Sequence, residues 1–445
     1  MKITFSFIFS LLVFISYSQS TREKLAKAFQ QFDADSQMRN GISSLYVINA
    51  KTGEVVFDKN SQIGLAPAST QKIITAVTAF ELLGKDFTYQ TKFLIEGKAN
   101  GANLIIKPSG DPTLGSWRWK FTSEDSIIKK LKTEVAIHHL KFSQVLVDTI
   151  NFEPVSIPSG WIWQDLGNYY GAPVNDFNWR ENQFDVLLKS GSKIGDPVEI
   201  AGTVPQLHSF RLTSRVRSAA AGSGDNAYIY FSLTNAEGII TGTIPVNEKS
   251  FKISGAIQDP RTEFTFRLSE ELKLGKALSK NFAAKNLFVH YSPSLDSIIY
   301  WFLQKSINLY GEALVKTFAY QKTGLGSTDT GVNIVKNFWK DKGIDIAELN
   351  IKDGSGLSPQ NRVTTHAQVE VLKYAKQQSW FSAFYAALPT YNNMKMKSGT
   401  IADVRGFCGY HKSSDGNEYI FSFLVNNYNG SGITTKMYKV LDALK

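Results

Sequence analysis

One segment of this sequence must be buried in any fold that the chain adopts. Apolar residues recur at helical spacing from Ile73 to Leu83, and Gly84 follows as a stop signal. A helix with this much apolar surface belongs in a core and not on the outside of a protein. The chain must therefore fold around this helix, and the residues that lead into it lie at the edge of that core.

A serine and a lysine stand at the start of the apolar helix. Ser69 precedes Lys72 by three positions, and Pro67 turns the chain sharply into the first helical turn. Residues three apart have Cβ atoms about 5–6 Å apart, so Lys72 can reach the Ser69 hydroxyl. A lysine activates a serine when burial or another cation lowers its pKa. The pair is a candidate nucleophile and base.

The same spacing occurs at Ser126–Lys129 and Ser190–Lys193. The first pair lies in a highly charged helical segment and the second in a glycine-bearing turn, both typical of solvated surface. A polar helix end or loop is the alternative interpretation of all three pairs. Only the Ser69 pair combines the spacing with an apolar helix.

Composition describes a globular protein. The 445 residues suffice for two or three domains, and 43% hydrophobic with 13% aromatic content is typical of an ordered chain. The formal charge of +10 comes without a basic run, so no nucleic-acid partner is expected. Six scattered histidines show no metal motif, and no cofactor is expected. Cys408 lies in an apolar strand pattern, which favours core packing.

The first residues predict export. Lys2 precedes an apolar stretch, and small residues before Gln19 favour cleavage there, so residues 1–18 are predicted to be a signal peptide. A retained membrane anchor is the alternative. We expect an exported protein of the periplasm or cell envelope, either free or peripherally associated with the envelope.

The predicted secondary structure changes along the chain. A helix over 21–32 and a hairpin over 44–57 precede the Ser69 helix; strands and one polar helix follow it to about residue 183. Residues 184–267 read almost wholly as short strands, which predicts a small β domain. Helices return from Leu295, and a hairpin closes the chain over 404–425.

Two later stretches fit a site built on Ser69. Ser306 and Asn308 lie between two helical segments and are expected to project together from a turn. Lys397 to Thr400 precede the closing hairpin on a candidate inner strand, where Gly399 would leave room for a ligand. Their rivals fit less well, because Lys51-Thr52-Gly53 is a hairpin turn and Lys322-Thr323-Gly324 ends a helix.

Taken in order, these stretches resemble the three signature motifs of penicillin-binding proteins and serine β-lactamases: Ser69-x-x-Lys72, Ser306-x-Asn308 and Lys397-Ser398-Gly399. The long interval between the first two motifs indicates inserted domains. Further matches are Gly110–Leu114, Val147–Thr149, Trp161–Asp165 and Asp353–Ser358. Together they are similar to the D-alanyl-D-alanine carboxypeptidase/endopeptidase family typified by penicillin-binding protein 4, over essentially the whole mature chain.

The resemblance implies an α/β fold with a discontinuous transpeptidase-like domain and two inserted domains. The catalytic domain would comprise residues 21–88 and 286–445. Inserted domain II would comprise 89–183 and 264–285, and the innermost, mainly β domain III would comprise 184–263.

The resemblance also implies a mechanism on peptidoglycan stem peptides and cross-links, with β-lactams as covalent inhibitors. Ser69 would form an acyl-enzyme with Lys72 as base; Ser306 would relay a proton, and Asn308 would orient Lys72 and the substrate amide. Two further groups of residues would bind the substrate. The terminal carboxylate would be held by Lys397, Ser398 and Thr400, and an oxyanion hole would be formed by the NH groups of Ser69 and Thr400.

Three alternatives remain open from the sequence. The same fold could be a β-lactamase or esterase, although Gly110–Leu114 and Asp353–Ser358 argue against that. A non-enzymatic wall-binding protein would have no need of all three motifs intact. Nucleic-acid binding has only net charge in its favour.

One position departs from the family pattern. The resemblance implies that Asp165 pairs with the side-chain amine of diaminopimelate peptides, with an ordinary surface carboxylate as the alternative. An arginine commonly follows the Gly-Ser-Gly-Leu-Ser run and binds the side-chain carboxyl, but Pro359 stands there. Carboxylate recognition must be weaker, or come from another cation such as Arg362.

Overall fold

The structure is a computed structural model, and it describes residues 20–97, 100–232, 236–274 and 284–445. The predicted signal peptide, residues 1–18, lies outside the described residues. The helices are α1 (Thr21–Asp33), α2 (Lys72–Leu83), α3 (Glu124–Ile137), α4 (Trp163–Leu166), α5 (Pro260–Leu272), α6 (Leu295–Gln304), α7 (Asn308–Thr323), α8 (Thr328–Asp341), α9 (Thr365–Lys376), α10 (Phe381–Ala387) and α11 (Ile433–Leu441).

Strands are short in most of the chain. They are β1 (Ile42–Asn49), β2 (Val55–Lys59), β3 (Gln90–Glu96), β4 (Asn100–Lys107), β5 (Lys141–Val147), β6 (Gln183–Lys189), β7 (Glu199–Val204), β8 (Arg211–Ser214), β9 (Arg217–Ala219), β10 (Asn226–Phe231), β11 (Glu237–Pro245), β12 (Phe251–Ala256), β13 (Lys285–Tyr291), β14 (Leu349–Asn350), β15 (Arg362–Val363), β16 (Thr390–Tyr391), β17 (Met394–Ile401), β18 (Val404–Lys412) and β19 (Glu418–Asn426).

A six-stranded antiparallel sheet joins the two ends of the chain. Its order is β16-β17-β18-β19-β1-β2, and β1 pairs with β19 from Ile42 opposite Asn426 to Asn49 opposite Tyr419. One face packs on α1 and α11 through a cluster that includes Phe29, Phe423 and Met437. Segments that are far apart in the sequence therefore lie side by side in one sheet.

The apolar helix lies in the core, as predicted. All nine residues from Lys72 to Phe80 are buried, and the helix packs with α6, α7 and α9. Gly84 ends it at φ 81°, a conformation that favours glycine. The helix forms because its apolar side chains find partners on every side.

The region between β2 and α6 forms separate sheets. One has the order β13-β3-β4-β5 and packs on α3 and α5 through Phe93, Ile127 and Phe264. The others are β12-β6-β7 and a four-stranded sheet in which β10, β8 and β9 all pair with β11. Within the described residues, the strands predicted for this region and the predicted closing hairpin are confirmed.

The expectation of short strands up to residue 267 is wrong for the last residues of this region. Residues 260–267 form part of helix α5, because Asp259 caps its start and its apolar face packs on β3–β5. The predicted boundary between 263 and 264 therefore cuts a helix. The boundary at 286 cuts β13, whose residues pair with Gln90–Ile95 of β3.

Within the described residues, no helix combines the length and the apolarity that a membrane crossing requires. Cys408 is fully buried in β18, which confirms its predicted place in the core.

Candidate active site

Ser69 lies in a short 3-10 turn that runs directly into α2. The turn spans Ala68–Gln71, and Ala68 has φ 46°, a costly conformation for a residue with a side chain. Ser69 is half-buried, and its Oγ lies 2.9 Å from Lys72 Nζ. The predicted pair is therefore in hydrogen-bond contact at the mouth of the buried helix.

Lys72 is a fully buried cation with three acceptors. Its Nζ lies 2.9 Å from Ser69 Oγ, 2.6 Å from Asn308 Oδ1 and 2.7 Å from the Ser355 carbonyl oxygen. Burial, and then the charge of Lys397, holds the pKa of Lys72 well below its ordinary value of 10.5. As a free amine it would keep two N–H donors for Asn308 and Ser355 and direct its lone pair at Ser69.

Ser306 and Asn308 project from the turn between α6 and α7, as predicted. Ser306 has φ 56°, and Asn308 is the first residue of α7. The Asn308 amide is fixed because Nδ2 donates to the Tyr170 carbonyl oxygen at 2.8 Å while Oδ1 accepts from Lys72. Ser306 lines the cavity described below.

Strand β17 passes close to the Ser69 turn. A Cβ on Gly399 would lie 2.6 Å from the Pro67 carbonyl oxygen and 2.9 Å from Ser69 N, so only glycine allows this approach. Lys397 is 1% exposed; burial, and the charge of Arg405, lower its pKa to about 7. Its Nζ donates to the Ser398 carbonyl oxygen at 2.8 Å.

The prediction of an inner strand is wrong for this part of β17. The two residues of β16 pair only with Met394 and Lys395, so on that side Lys397 to Ile401 have no partner strand among the described residues. Thr400 is exposed there, and its hydroxyl accepts from Arg405. The edge beside Ser69 is therefore open to an extended ligand.

A cavity of about 730 Å³ brings most of the predicted residues together. Its lining includes Ser69, Ser306, Asn308, Thr400 and Asp165. Lys72, Lys397, Ser398 and Gly399 lie outside that lining; the two lysines and Gly399 are buried behind it. Burial raises the pKa of Asp165 to about 6.

Arg362 is not part of the cavity lining, although it contacts Pro359, which is. It is exposed and donates to the carbonyl oxygens of Pro359 and Asn361, at 2.6 and 2.7 Å. The cations in the cavity lining are Arg118 and Lys305. Arg118 is paired with Glu181 at 2.8 Å, whereas Lys305 makes no ion pair within the described part of the chain.

The Asp353–Ser358 motif supports the site from behind. The buried Asp353 carboxylate accepts from the Gly356 and Ser358 NH groups, at 2.8 and 2.7 Å, and from the Trp161 indole at 2.9 Å. This cage fixes the loop whose Ser355 carbonyl contacts Lys72.

The competing serines do not contact their lysines. Ser126 donates to the Lys120 carbonyl oxygen, and Ser190 donates to that of Pro245. Both hydroxyls bond to backbone carbonyl groups, and neither serine lines the cavity.

Sequence reasoning missed a buried polar row on α7. Asn308, Glu312 and Lys316 follow one another at intervals of four residues, and all three are buried. Polar residues at i, i+4 and i+8 of an otherwise apolar helix share one face, and this spacing was the available signal.

The family model described as "D-Ala-D-Ala carboxypeptidase 3 (S13) family" matches residues 23–391. A serine hydroxyl in contact with a buried lysine is an arrangement typical of acylating serine hydrolases. The chain belongs to the S13 family, and it is a serine-type D-Ala-D-Ala carboxypeptidase, which confirms the prediction from the motifs.

Relatives extend over most of the chain. A D-alanyl-D-alanine carboxypeptidase of Actinomadura sp. (strain R39) is 25% identical over 453 residues, covering 92% of this chain and 82% of that protein. The D-alanyl-D-alanine carboxypeptidase DacB of Haemophilus influenzae is 26% identical over 423 residues, covering 87% and 86%.

The fold is also found in solved structures. The crystal structure of penicillin-binding protein 4 (dacB) from H. influenzae gives a TM-score of 0.77 at 22% identity, covering 94% of this chain and 97% of that one. A second structure of that protein, complexed with a β-lactam, gives 0.72 at 20% with the same coverage. This likeness confirms the predicted fold class.

Proposed function

We propose that the protein cleaves D-alanyl bonds in peptidoglycan stem peptides and their cross-links through an acyl-enzyme on Ser69, and that penicillin acylates the same serine. The observation that carries the proposal is the contact of a half-buried Ser69 with a fully buried Lys72, whose pKa is held low. A lysine whose pKa is lowered releases its proton more readily, which suits it to act as a general base.

In acylation, the Ser69 hydroxyl gives its proton to Lys72 while Oγ attacks the substrate carbonyl. The developing oxyanion is held by the NH groups of Ser69 and Thr400, and one such donor is worth about 3–4 kcal/mol. Ser306 then relays this proton from Lys72 to the leaving amine as the C–N bond breaks, which leaves both Lys72 and Ser306 as they began. Water hydrolyses the resulting ester and frees Ser69.

The substrate is held at the open edge of β17. Its terminal carboxylate pairs with the buried Lys397 ammonium group and with the Thr400 hydroxyl. Ser398 is the third residue predicted to bind this carboxylate. Asn308 receives the substrate amide and keeps Lys72 in place. A carboxylate beside Lys397 raises the pKa of that lysine again, so Lys397 keeps its positive charge while substrate is bound.

Asp165 and Lys305 are proposed to read the side chain next to the scissile bond. Asp165 lines the cavity and would accept from a free side-chain amine. Lys305 lines the same cavity without an ion pair among the described residues, and it replaces Arg362 as the candidate for the side-chain carboxyl.

Labelled penicillin tests the proposal. The pure protein should form a covalent adduct that mass mapping places on Ser69, and Ser69→Ala should abolish it. Lys72→Ala should slow acylation by several orders of magnitude, because base and nucleophile act as one unit. A Ser126→Ala variant is the matched control and should label normally.

An adduct on Ser126 or Ser190, or labelling of Ser69→Ala, would exclude this mechanism. Mass analysis of products from stem peptides and from cross-linked dimers then measures carboxypeptidase and endopeptidase activity separately.

A further inference from the structure

A buried carboxyl group lies one helical turn beyond Asn308. Glu312 is 0% exposed on α7, and no motif of the reaction includes it. Its Oε2 accepts from the Gly354 NH at 2.9 Å, while its Oε1 has no hydrogen-bond partner. A buried carboxyl oxygen without a partner costs free energy, so the group calls for an explanation.

Glu312 touches the loop that contacts the catalytic lysine. Gly354 immediately precedes Ser355, whose carbonyl oxygen accepts from Lys72 Nζ at 2.7 Å. The contact between α7 and this loop is tight, because a Cβ on Gly354 would lie 2.3 Å from the Gly311 carbonyl oxygen. The Glu312 carboxyl therefore fixes one of the three acceptors of Lys72 through a single peptide unit.

The charges around Glu312 come from three elements. Lys72 faces it from α2, Asp353 from the loop, and Lys316 from its own helix. Burial, and then the Asp353 charge, raise the pKa of Glu312 to about 8, against the Ser355 side chain, the Gly354 NH and the Lys72 charge, which lower it. A negative Glu312 raises the pKa of Lys72 in turn.

We propose that Glu312 is a positioning residue for Lys72: it holds the Gly354–Ser355 backbone against the lysine, and its charge governs whether the amine is free to accept the Ser69 proton. The inference rests on the proposed role of Lys72 as the base. When Glu312 holds a proton, Lys72 is a free amine; when that proton moves to Lys72, the lysine is an ammonium ion and inactive as a base.

The two groups therefore titrate as a pair. A carboxylate near the lysine favours the ammonium form, so it moves activation of Lys72 to higher pH and spreads it over a wider range. Removing the carboxylate while keeping an acceptor for Gly354 should leave a single, earlier titration.

Glu312→Gln makes this change, and the pH dependence of penicillin acylation measures it. The acid limb should move to lower pH by about 1 unit, the size of shift expected when one nearby opposite charge is removed, and it should steepen to a one-proton curve. At pH 7 the acylation rate should stay within about threefold of wild type, because the Gly354 contact is kept.

Glu348→Gln is the matched control. Glu348 is also a largely buried, hydrogen-bonded carboxyl, but it contacts Thr364 and His366, and its charge does not act on Lys72. Its pH profile should equal that of wild type.

A rate for Glu312→Gln that falls equally at every pH, or a limb that does not move, would overturn the inference and leave Ser69 acylation intact. No acylation of wild type at any pH would instead refute the proposed function. If Glu312→Gln does not fold, infrared spectroscopy of wild type decides: a protonated carboxyl band should titrate near pH 8, and its absence overturns the inference.

Discussion

Two buried lysines serve this site, and burial sets the charge of both. Lys72 and Lys397 are 0% and 1% exposed, and in each case burial is the first cause of a lowered pKa and another cation the second cause acting in that direction. The proposed mechanism needs Lys72 without its proton, whereas it needs Lys397 with its proton. Burial therefore favours the charge state that the mechanism needs of Lys72 and opposes the one that it needs of Lys397.

Activity on carboxylate-bearing peptides should follow a bell-shaped pH profile. As pH rises, Lys72 loses its proton and kcat/KM increases; above about 7, free Lys397 loses its proton, carboxylate binding weakens and kcat/KM falls. Steady-state kinetics from pH 5 to 10 measures both limbs. The basic limb of the kcat profile should lie at higher pH than that of kcat/KM, because a bound carboxylate keeps Lys397 charged.

Lys397→Arg assigns the basic limb. Arginine stays charged throughout this range, so the limb should disappear if the variant binds substrate. A basic limb that persists in the arginine variant would belong to another group.

We expect Asp165 and Lys305 to select different groups on the substrate side chain next to the scissile bond: Asp165 its amine, and Lys305 its carboxyl group. Asp165→Ala should lower kcat/KM for peptides with a free side-chain amine by about 1–3 kcal/mol, the cost of one charge-assisted hydrogen bond. Lys305→Gln should lower it by a similar amount only when the side-chain carboxyl is free and not amidated. Kinetics on amine-blocked and carboxyl-amidated peptides separates the two.

Acylation by a penicillin with a neutral side chain is the control for both variants and should barely change. Equal losses for penicillin and peptide would mean that the residue supports the fold instead of reading the substrate.

At the scale of elements, the fit of β17 against the Ser69 turn depends on one glycine. Gly399→Ala would place a methyl group 2.6 Å from the Pro67 carbonyl oxygen, so strand and turn must separate. A displacement near 1 Å of reacting groups costs about 100-fold in rate. We expect penicillin acylation to fall by that order, measured as a second-order rate constant.

Gly416→Ala is the control, since a Cβ at this hairpin glycine meets nothing within 4 Å. Its φ of 86° makes it a test of backbone strain away from the site. Equal rate losses in both glycine variants would argue against a specific role of Gly399.

Most elements could be predicted because their signals are local. The apolar run of α2, its stop at Gly84 and the serine–lysine spacing all act within one helix. The open edge of β17 could not be predicted, because strand order depends on distant pairings. The sequence carries no local signal for the position of Arg362 outside the cavity or for the fixed Glu312 carboxyl. Packing between distant segments decides both.

For the whole molecule, a buried lysine connects α7 to the inserted region. Lys316 Nζ donates to the carbonyl oxygens of Val155 and Val174 at 2.8 and 3.2 Å and lies 3.4 Å from Glu153. Lys316→Met removes these donors and leaves carbonyl groups unpaired. The free energy of unfolding should fall by about 1–3 kcal/mol, measured by urea denaturation.

Lys322→Met provides the comparison on the same helix. Lys322 is exposed in the last turn of α7, and its loss should change the free energy of unfolding by less than about 0.5 kcal/mol. Similar losses in both variants would show that Lys316 does not hold the inserted region.

The pairing of β1 with β19 also determines when the enzyme can act. During synthesis the Ser69 segment emerges early, but β1 has no neighbour on one side until residues 418–426 exist, and the Lys397 strand follows most of the chain. Pairings between such distant segments form late in folding. An incomplete chain therefore carries Ser69 without the strands that complete its site, and synthesis of the protein is separated in time from its activity.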